Sequence, residues 1–515
     1  MTTAVRDSDT VTRDALAVLQ PTFAGTTDLP DWLPRQLANG MTGVGLFGRN
    51  IVSPEQVAAL TAQLRAAKPD VLVSVDEEGG DVTRLEVHGG SSFPGNHALG
   101  SVDDTALTRE VAAELGRRLA VCGVNLNWAP SADVNTDPDN PVIGVRSFGD
   151  DPQLVARHTV AYVEGLQSAG VAACVKHFPG HGNTSVDSHH AMPLIDLDSD
   201  TLHTRELAPF KAAIAAGTRC VMSAHILVPA LDPDRPATLS PAVLTGLLRA
   251  PAAEGGLGYD GLIFTDAIEM KAVAGAYGLD GGCVHAIAAG ADALCIGGTP
   301  SDEAEVLRLR DALVRAVHSG ELPEERLHDA ATRVRELADW TAGAAARAGA
   351  PDPAGEVGLT AARRALRLHR PDGADPFVPL AAPPYVASFP PVANIAVGEH
   401  TPWGVGPELA GLLPGTATGS HTREEAERAG GDGFVAEILA AAGERRIVAV
   451  VRDVHRHAWM ADALARLLAA RPDTVVVEMG VPHAPPSGAL HIATHGAARV
   501  CGRAAAEVIA GRAPR

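Results

Sequence analysis

The sequence predicts an α/β protein in two parts, an N-terminal (β/α)8 TIM-like barrel followed by a smaller α/β/α sandwich. Up to residue 346, short apolar runs alternate with helical patterns, which is how βα units around a parallel sheet read. Those runs number eight, which fits a closed barrel better than an open doubly wound sheet. Beyond a proline-rich stretch, four more apolar runs alternate with alanine-rich helical segments on a smaller scale. The boundaries expected are a barrel over 1–346, a connection with a short helix over 347–390, and a sandwich over 391–515.

The first predicted strand, 16–23, is the weakest. It is followed by 43–47, 71–75, 124–128, 171–175, 220–223, 261–265 and 293–296. Helical patterns lie between them, for example 105–121, 153–168, 207–216 and 303–317. The connection carries a helix over 359–368 and then the punctuated run DGADPFVPLAAPPYVASFPP. The sandwich strands are expected at 393–397, 447–451, 474–477 and 490–493, with a helix over 460–470. This second part contains no GxGxxG or Walker loop, so its layering alone does not license a nucleotide site.

Composition removes several classes of function. The chain is 46% hydrophobic and 20% charged, too apolar for disorder. Its 42 Lys and Arg against 62 Asp and Glu leave a formal charge of −20 and no basic run, which disfavours nucleic acid and anionic membranes as partners. No apolar run approaches the roughly 20 residues that span a bilayer, and the first residues lack a basic n-region and an apolar h-region. The six cysteines form no CxxC pair and read as buried free thiols, so a reducing cytoplasm is expected.

In a parallel barrel, polar residues at the carboxyl ends of the strands converge on one mouth. Those just past the apolar runs are Asp76, Asp133, Lys176 with His177, His225 and Asp266. Asp266, in IFTDAIEM, is a carboxylate fixed by a buried strand and suited to attack a sugar anomeric carbon; an N-cap role for the next helix is the competing reading. Lys176 is one of only four lysines. It opens the segment KHFPGHGNTSVDSHHAMP, a loop with four histidines and Gly/Pro punctuation that suits a lid with its own acid/base group. There Asp187 and His189 stand two apart, near enough for the carboxylate to orient the imidazole. A metal site and a purely structural loop are the alternatives. Arg146, among turn residues, offers a guanidinium to adjacent hydroxyls, and with Lys176 and Asp76 makes a polar pocket such as a sugar requires.

The motifs DEEGGDVTR (76–84), NPVIGVRSFG (140–149), KHFPGHGNTSVDSH (176–189), MSAH (222–225) followed by PATLSP, and FTDAIEM (264–270) together resemble glycoside hydrolase family 3, in its β-N-acetylglucosaminidase (β-hexosaminidase) branch. The region 347–515 resembles the second domain of two-domain Gram-positive members. The resemblance implies that Asp266 is the nucleophile, that Asp187 and His189 form the acid/base pair, and that Asp76, Arg84, Arg146, Lys176 and His177 bind the sugar cleaved. It implies a retaining double displacement on small β-linked N-acetylglucosaminides, whether muropeptide fragments or chitooligosaccharides, with no metal or organic cofactor.

Two positions depart from the family pattern: Asn183 where an Asp is usual after GHG, and Asp81 where a basic residue is usual after EGG. Three alternatives remain. A phosphorylase would use inorganic phosphate as acceptor and release a sugar 1-phosphate. A β-glucosidase would take its acid/base glutamate from later in the chain, where Glu478 is the strand-end candidate. A sugar-binding protein without catalysis would have kept only the fold.

Overall fold

A computed structural model describes residues 8–186, 192–347, 349–352, 355–373, 376–390, 396–397 and 401–512. The chain forms two compact units, Met1–Glu78 with Thr108–Ile143 and Asp150–Asp352, and Gly79–Leu107 with Gly144–Gly149 and Pro353–Arg515.

The first unit is a mixed α/β fold around a curled parallel sheet. Its strands are β1 (Leu19–Pro21), β2 (Gly43–Leu46), β3 (Leu72–Val75), β4 (Leu126–Asn127), β5 (Ala172–Phe178), β6 (Cys220–Ser223), β7 (Leu262–Thr265) and β8 (Leu294–Ile296). Strands β2 to β7 pair in sequence order, β8 pairs with β1 in parallel, and a parallel bridge joins Phe264 of β7 to Ala293 beside β8. All eight expected apolar runs therefore hold strands. They are legible because every residue of the eight strands inside them is buried, which leaves near-continuous apolar runs.

Alternate positions share one core: Leu72, Leu126, Trp128, Ala172, Cys174, Cys220, Met222, Leu262, Phe264 and Cys295. Several intervening helices start on readable caps. Ser53 accepts from the Gln56 amide ahead of Pro54–Ala67, Asp151 from the Gln153 amide ahead of Pro152–Ser168, and Asp302 from the Glu305 amide ahead of Glu303–Ser319. At the amino-terminal ends of β7 and β8, the buried carboxylate of Asp292 accepts from Arg249 at 2.6 Å, from the Ile263 amide at 2.9 Å, and from Arg326. That cluster lies at the opposite end of β7 from Asp266. All six cysteines are buried free thiols.

The second unit is built on a six-stranded sheet of β9 (Arg367–His369), β10 (Tyr385–Ser388), β11 (Ala417–Ser420), β12 (Ile447–Val451), β13 (Val475–Glu478) and β14 (Leu490–Ala493), in the order β11-β10-β12-β13-β14-β9. All neighbours are parallel except the edge strand β9. Period-two alternation splits its apolar side chains between two cores, one holding Val386, Val448, Val450, Val475 and Val477, the other Tyr385, Ala387, Ile447, Ala449 and Val451.

Here the structure corrects several expectations. The strand expected at 393–397 is absent where it can be judged: residues 396–397 are a turn, and 393–395 lie outside the described residues. The strand is Tyr385–Ser388, inside the stretch read as a connection. Pro384 and Pro390 flank it rather than interrupt it, so a central strand with both ladders intact is possible. The short helix runs Glu356–Ala365, and the next residues form β9. Segments Gly79–Leu107 and Gly144–Gly149, read as part of the barrel chain, cluster with the second unit. Arg364 pairs with Asp104 at 2.9 Å, and the Val500 amide donates to the Ser91 carbonyl.

Candidate active site

Asp76 follows β3 directly, Asp266 follows β7 directly, and β5 carries Lys176 and His177 within its own length. Strand β5 thus runs three residues past the apolar stretch, with a register shift against β6 between Val175 and Phe178. The Lys176 ammonium, 2% exposed, sits 2.6 Å from Asp76 Oδ1 and 2.7 Å from Glu78 Oε1. Glu78 is buried, whereas the Asp76 side chain keeps 23% of its surface. One carboxylate therefore anchors the ammonium from within, and the other keeps an edge toward solvent, where a sugar hydroxyl can donate to it.

Asp133 is fully buried and draws the β5 loop together. Its Oδ1 accepts from the backbone amides of His177 at 3.2 Å and His181 at 2.7 Å. Its Oδ2 accepts from Ser131 Oγ at 2.9 Å and lies 2.7 Å from His177 Nδ1. Burial acts to raise the Asp133 pKa, but His177, His181 and these hydrogen bonds outweigh it and hold the carboxyl well below the usual range. An ionised carboxylate has no proton to give, so His177 Nδ1 carries the hydrogen. The His181 ring is pushed down to about 4 by burial and by its neighbour His177, and is neutral near pH 7.

Asp266 Oδ1 accepts from the Ala267 amide at 2.8 Å. Asp76 and Asp266 each directly follow a strand of the same parallel sheet, so both stand at its carboxyl end. His225 lies beneath: its Nε2 donates to the Ala267 carbonyl at 2.9 Å, and its Nδ1 lies 2.9 Å from Thr238 Oγ1. A buried ring engaged on both sides steadies the turn after β7.

Gly180, at φ +127°, approaches Glu206 so closely that a Cβ there would meet Oε2 at 2.8 Å. Glu206 is buried, takes Arg205 Nε on Oε1 at 2.8 Å, and is pushed up to about 7 by burial. Asn183, at one of the departures from the family pattern, donates to Thr136 Oγ1 at 2.9 Å.

Arg84 and Arg146 belong to the second unit. Arg84 donates to the Ala396 carbonyl at 2.7 Å, and Arg146 closes the short turn Gly144–Arg146, its carbonyl accepting from Asn96 Nδ2. Asp187 and His189 lie outside the described residues. Among the described residues no three His, Cys, Asp or Glu side chains gather as a metal ion requires. Glu478 is also built into a turn: its carboxyl accepts from the Asp453 amide at 2.9 Å and the Gly480 amide at 2.8 Å.

The model of the glycosyl hydrolase family 3 N-terminal domain matches residues 23–337, more than half of the chain. The chain belongs to this family. Among curated family relatives, β-hexosaminidase A of Pseudoalteromonas piscicida is 32% identical over 339 residues, covering 61% of this chain and 56% of that protein. The match thus spans a little over half the length of that relative. A β-hexosaminidase of Stenotrophomonas maltophilia (strain K279a) is 39% identical over 268 residues, covering 49% of this chain and 76% of the other. Among solved structures, a glycoside hydrolase family 3 β-N-acetylglucosaminidase from Paenibacillus sp. str. FPU-7 aligns with a TM-score of 0.81 at 34% identity, covering 99% of this chain and 98% of that one.

Two participants escaped the sequence reading. Glu78 stands three residues past the end of β3, and only the position of Lys176 on another strand gives it a role. Asp133 was placed at the mouth but given no partner. Among the described residues no helix is long and apolar enough to cross a membrane.

Proposed function

We propose that the chain is a retaining, exo-acting β-N-acetylglucosaminidase that removes terminal β-linked N-acetylglucosamine from small glycosides. Muropeptide fragments and chitooligosaccharides are the candidate substrates. In this reading the curled sheet and the β8–β1 pair make one (β/α)8 barrel, and the second unit is an α/β/α sandwich. The observation that carries the reading is the placing of Asp266 and the Lys176–Asp76 pair at the carboxyl ends of their strands, in a chain of this family.

Asp266 attacks the anomeric carbon and forms a glycosyl ester while His189, oriented by Asp187, protonates the departing oxygen. His189 then takes a proton from water, whose oxygen displaces Asp266. Asp76, Lys176 and His177 hold the sugar's hydroxyls, and the family resemblance assigns Arg84 and Arg146 to the sugar as well. The excess of carboxylates around one ammonium favours positive charge developing on the sugar ring.

Incubation with an aryl β-N-acetylglucosaminide, with and without inorganic phosphate, tests this. Free N-acetylglucosamine in both arms is expected. Sugar 1-phosphate in the phosphate arm would make the chain a phosphorylase, and no turnover by folded protein would remove the enzymatic reading.

A further inference from the structure

Asp81 stands three residues after Glu78 and three before Arg84, in a tight turn closed by the antiparallel bridge between Gly79 and Val82. Its side chain is 2% exposed, and both oxygens are held by distant parts of the second unit. Oδ1 accepts from the Ala497 amide at 2.7 Å, in the turn after β14. Oδ2 lies 2.5 Å from the Arg452 guanidinium, directly after β12. The carboxyl ends of two sheet strands therefore grip one side chain of the 79–84 turn.

Arg452 stands on a base that fixes it. Its Nε lies 3.6 Å from Asp453 Oδ2, while Asp453 Oδ1 accepts from the Val481 amide at 2.8 Å and the Asp453 amide donates to Glu478. The turns after β12 and β13 are thus tied together beneath the guanidinium. Burial disfavours its charge, but Asp81, Asp453 and Glu478 more than offset that and hold it protonated. Three residues past Asp81, the guanidinium of Arg84 is bound to the Ala396 carbonyl, in the stretch after β10. The turn is anchored at Asp81 and again at Arg84, both times to segments that follow strands of the second sheet.

We propose that Arg452 is a positioning residue, which through its ion pair with Asp81 fixes the turn carrying Arg84 and so sets the affinity for the sugar. The inference rests on the proposed function, since it takes Arg84 as a sugar ligand. It gives the C-terminal part of the chain a task in catalysis without placing any of its residues on the reacting atoms.

The test uses the full chain with Arg452→Gln, Asp81→Asn and the double substitution. Each single change is expected to raise KM for an aryl β-N-acetylglucosaminide about tenfold or more with kcat within about threefold, because an interaction made equally in ground and transition states is lost. The double variant should be no worse than the poorer single one, as for two residues acting through one contact. Hydrogen exchange of the amides of residues 79–86 should quicken in both single variants. A purely structural pair would lower the melting temperature with KM unchanged, and an unchanged KM in folded variants overturns the inference. Should Arg452→Gln fail to fold, Arg452→Lys keeps the charge without the two-pronged geometry and is expected to raise KM to a smaller degree. Should the wild type turn over no aryl N-acetylglucosaminide, the proposed function fails by itself. The exchange measurement then decides: unchanged exchange at 79–86 overturns the positioning role, and faster exchange upholds it.

Discussion

Replacing Asp133 by asparagine preserves the shape of the side chain and removes its charge. The two backbone amides of His177 and His181 both donate to Oδ1, and an amide oxygen can keep them. Oδ2 receives Ser131 Oγ and faces the hydrogen on His177 Nδ1, and an NH2 group there sets donor against donor. Two charge-assisted contacts are lost at about 1.5–3 kcal/mol each. Relaxation recovers part of that, so a stability loss of about 3 kcal/mol at neutral pH is expected. The sign of the pH dependence follows from the depressed pKa of Asp133. Its stabilisation is complete above the ordinary carboxylate value, about 3.9, and disappears as pH falls toward the folded value. The gap between wild type and variant, measured by urea unfolding, should therefore be widest near pH 7 and shrink below about pH 4. Released from Asp133, the His177 ring can move its hydrogen to Nε2, so kcat/KM should fall by roughly 10- to 100-fold, about 1.4–2.8 kcal/mol. Equal stability at pH 7, or an unchanged kcat/KM, would refute the reasoning.

Glu206 has a folded pKa raised to about 7, so its contribution to stability is present at low pH and lost as pH rises through that value. Glu206→Gln should flatten the wild-type decline between about pH 4.5 and 7, and parallel pH–stability curves for the two proteins would contradict this. Glu78→Gln leaves Lys176 with Asp76 as its one carboxylate of the observed pair. KM should rise about tenfold as the ammonium shifts, with unchanged KM arguing against an anchoring role. Asp292→Asn unsettles Arg249 and Arg326 at the far end of β7, costing about 3–5 kcal/mol in unfolding measurements while KM stays the same. A change in KM there would mean that the two ends of the sheet are coupled.

The first unit was legible because its strands are covered on both faces, so short apolar runs mark them and the residue after each run marks the mouth. Asp76 and Asp266 were readable for that reason. What escaped was set by tertiary packing. Strand β9 exposes all three of its residues, and β11 alternates intermediate and exposed residues at the sheet edge, so neither carries an apolar signal. Strand β10 was hidden by prolines that prove to be its boundaries. The attachment of Gly79–Leu107 to the second unit depends on partners such as Arg452 and Ala497, more than 370 residues away. No local pattern around Asp81 announces them.

If the chain is a retaining glycosidase with Asp266 as its nucleophile, a sugar becomes bound to that side chain during turnover. Treating the protein with a 5-fluoro N-acetylglucosaminyl fluoride, which forms the glycosyl-enzyme faster than it is hydrolysed, and mapping the adduct by peptide mass spectrometry tests it directly. The prediction is one sugar bound through an ester on Asp266, and none in Asp266→Ala. An adduct on another side chain, or an Asp266→Ala variant that still turns over aryl N-acetylglucosaminide at the wild-type rate, would contradict it.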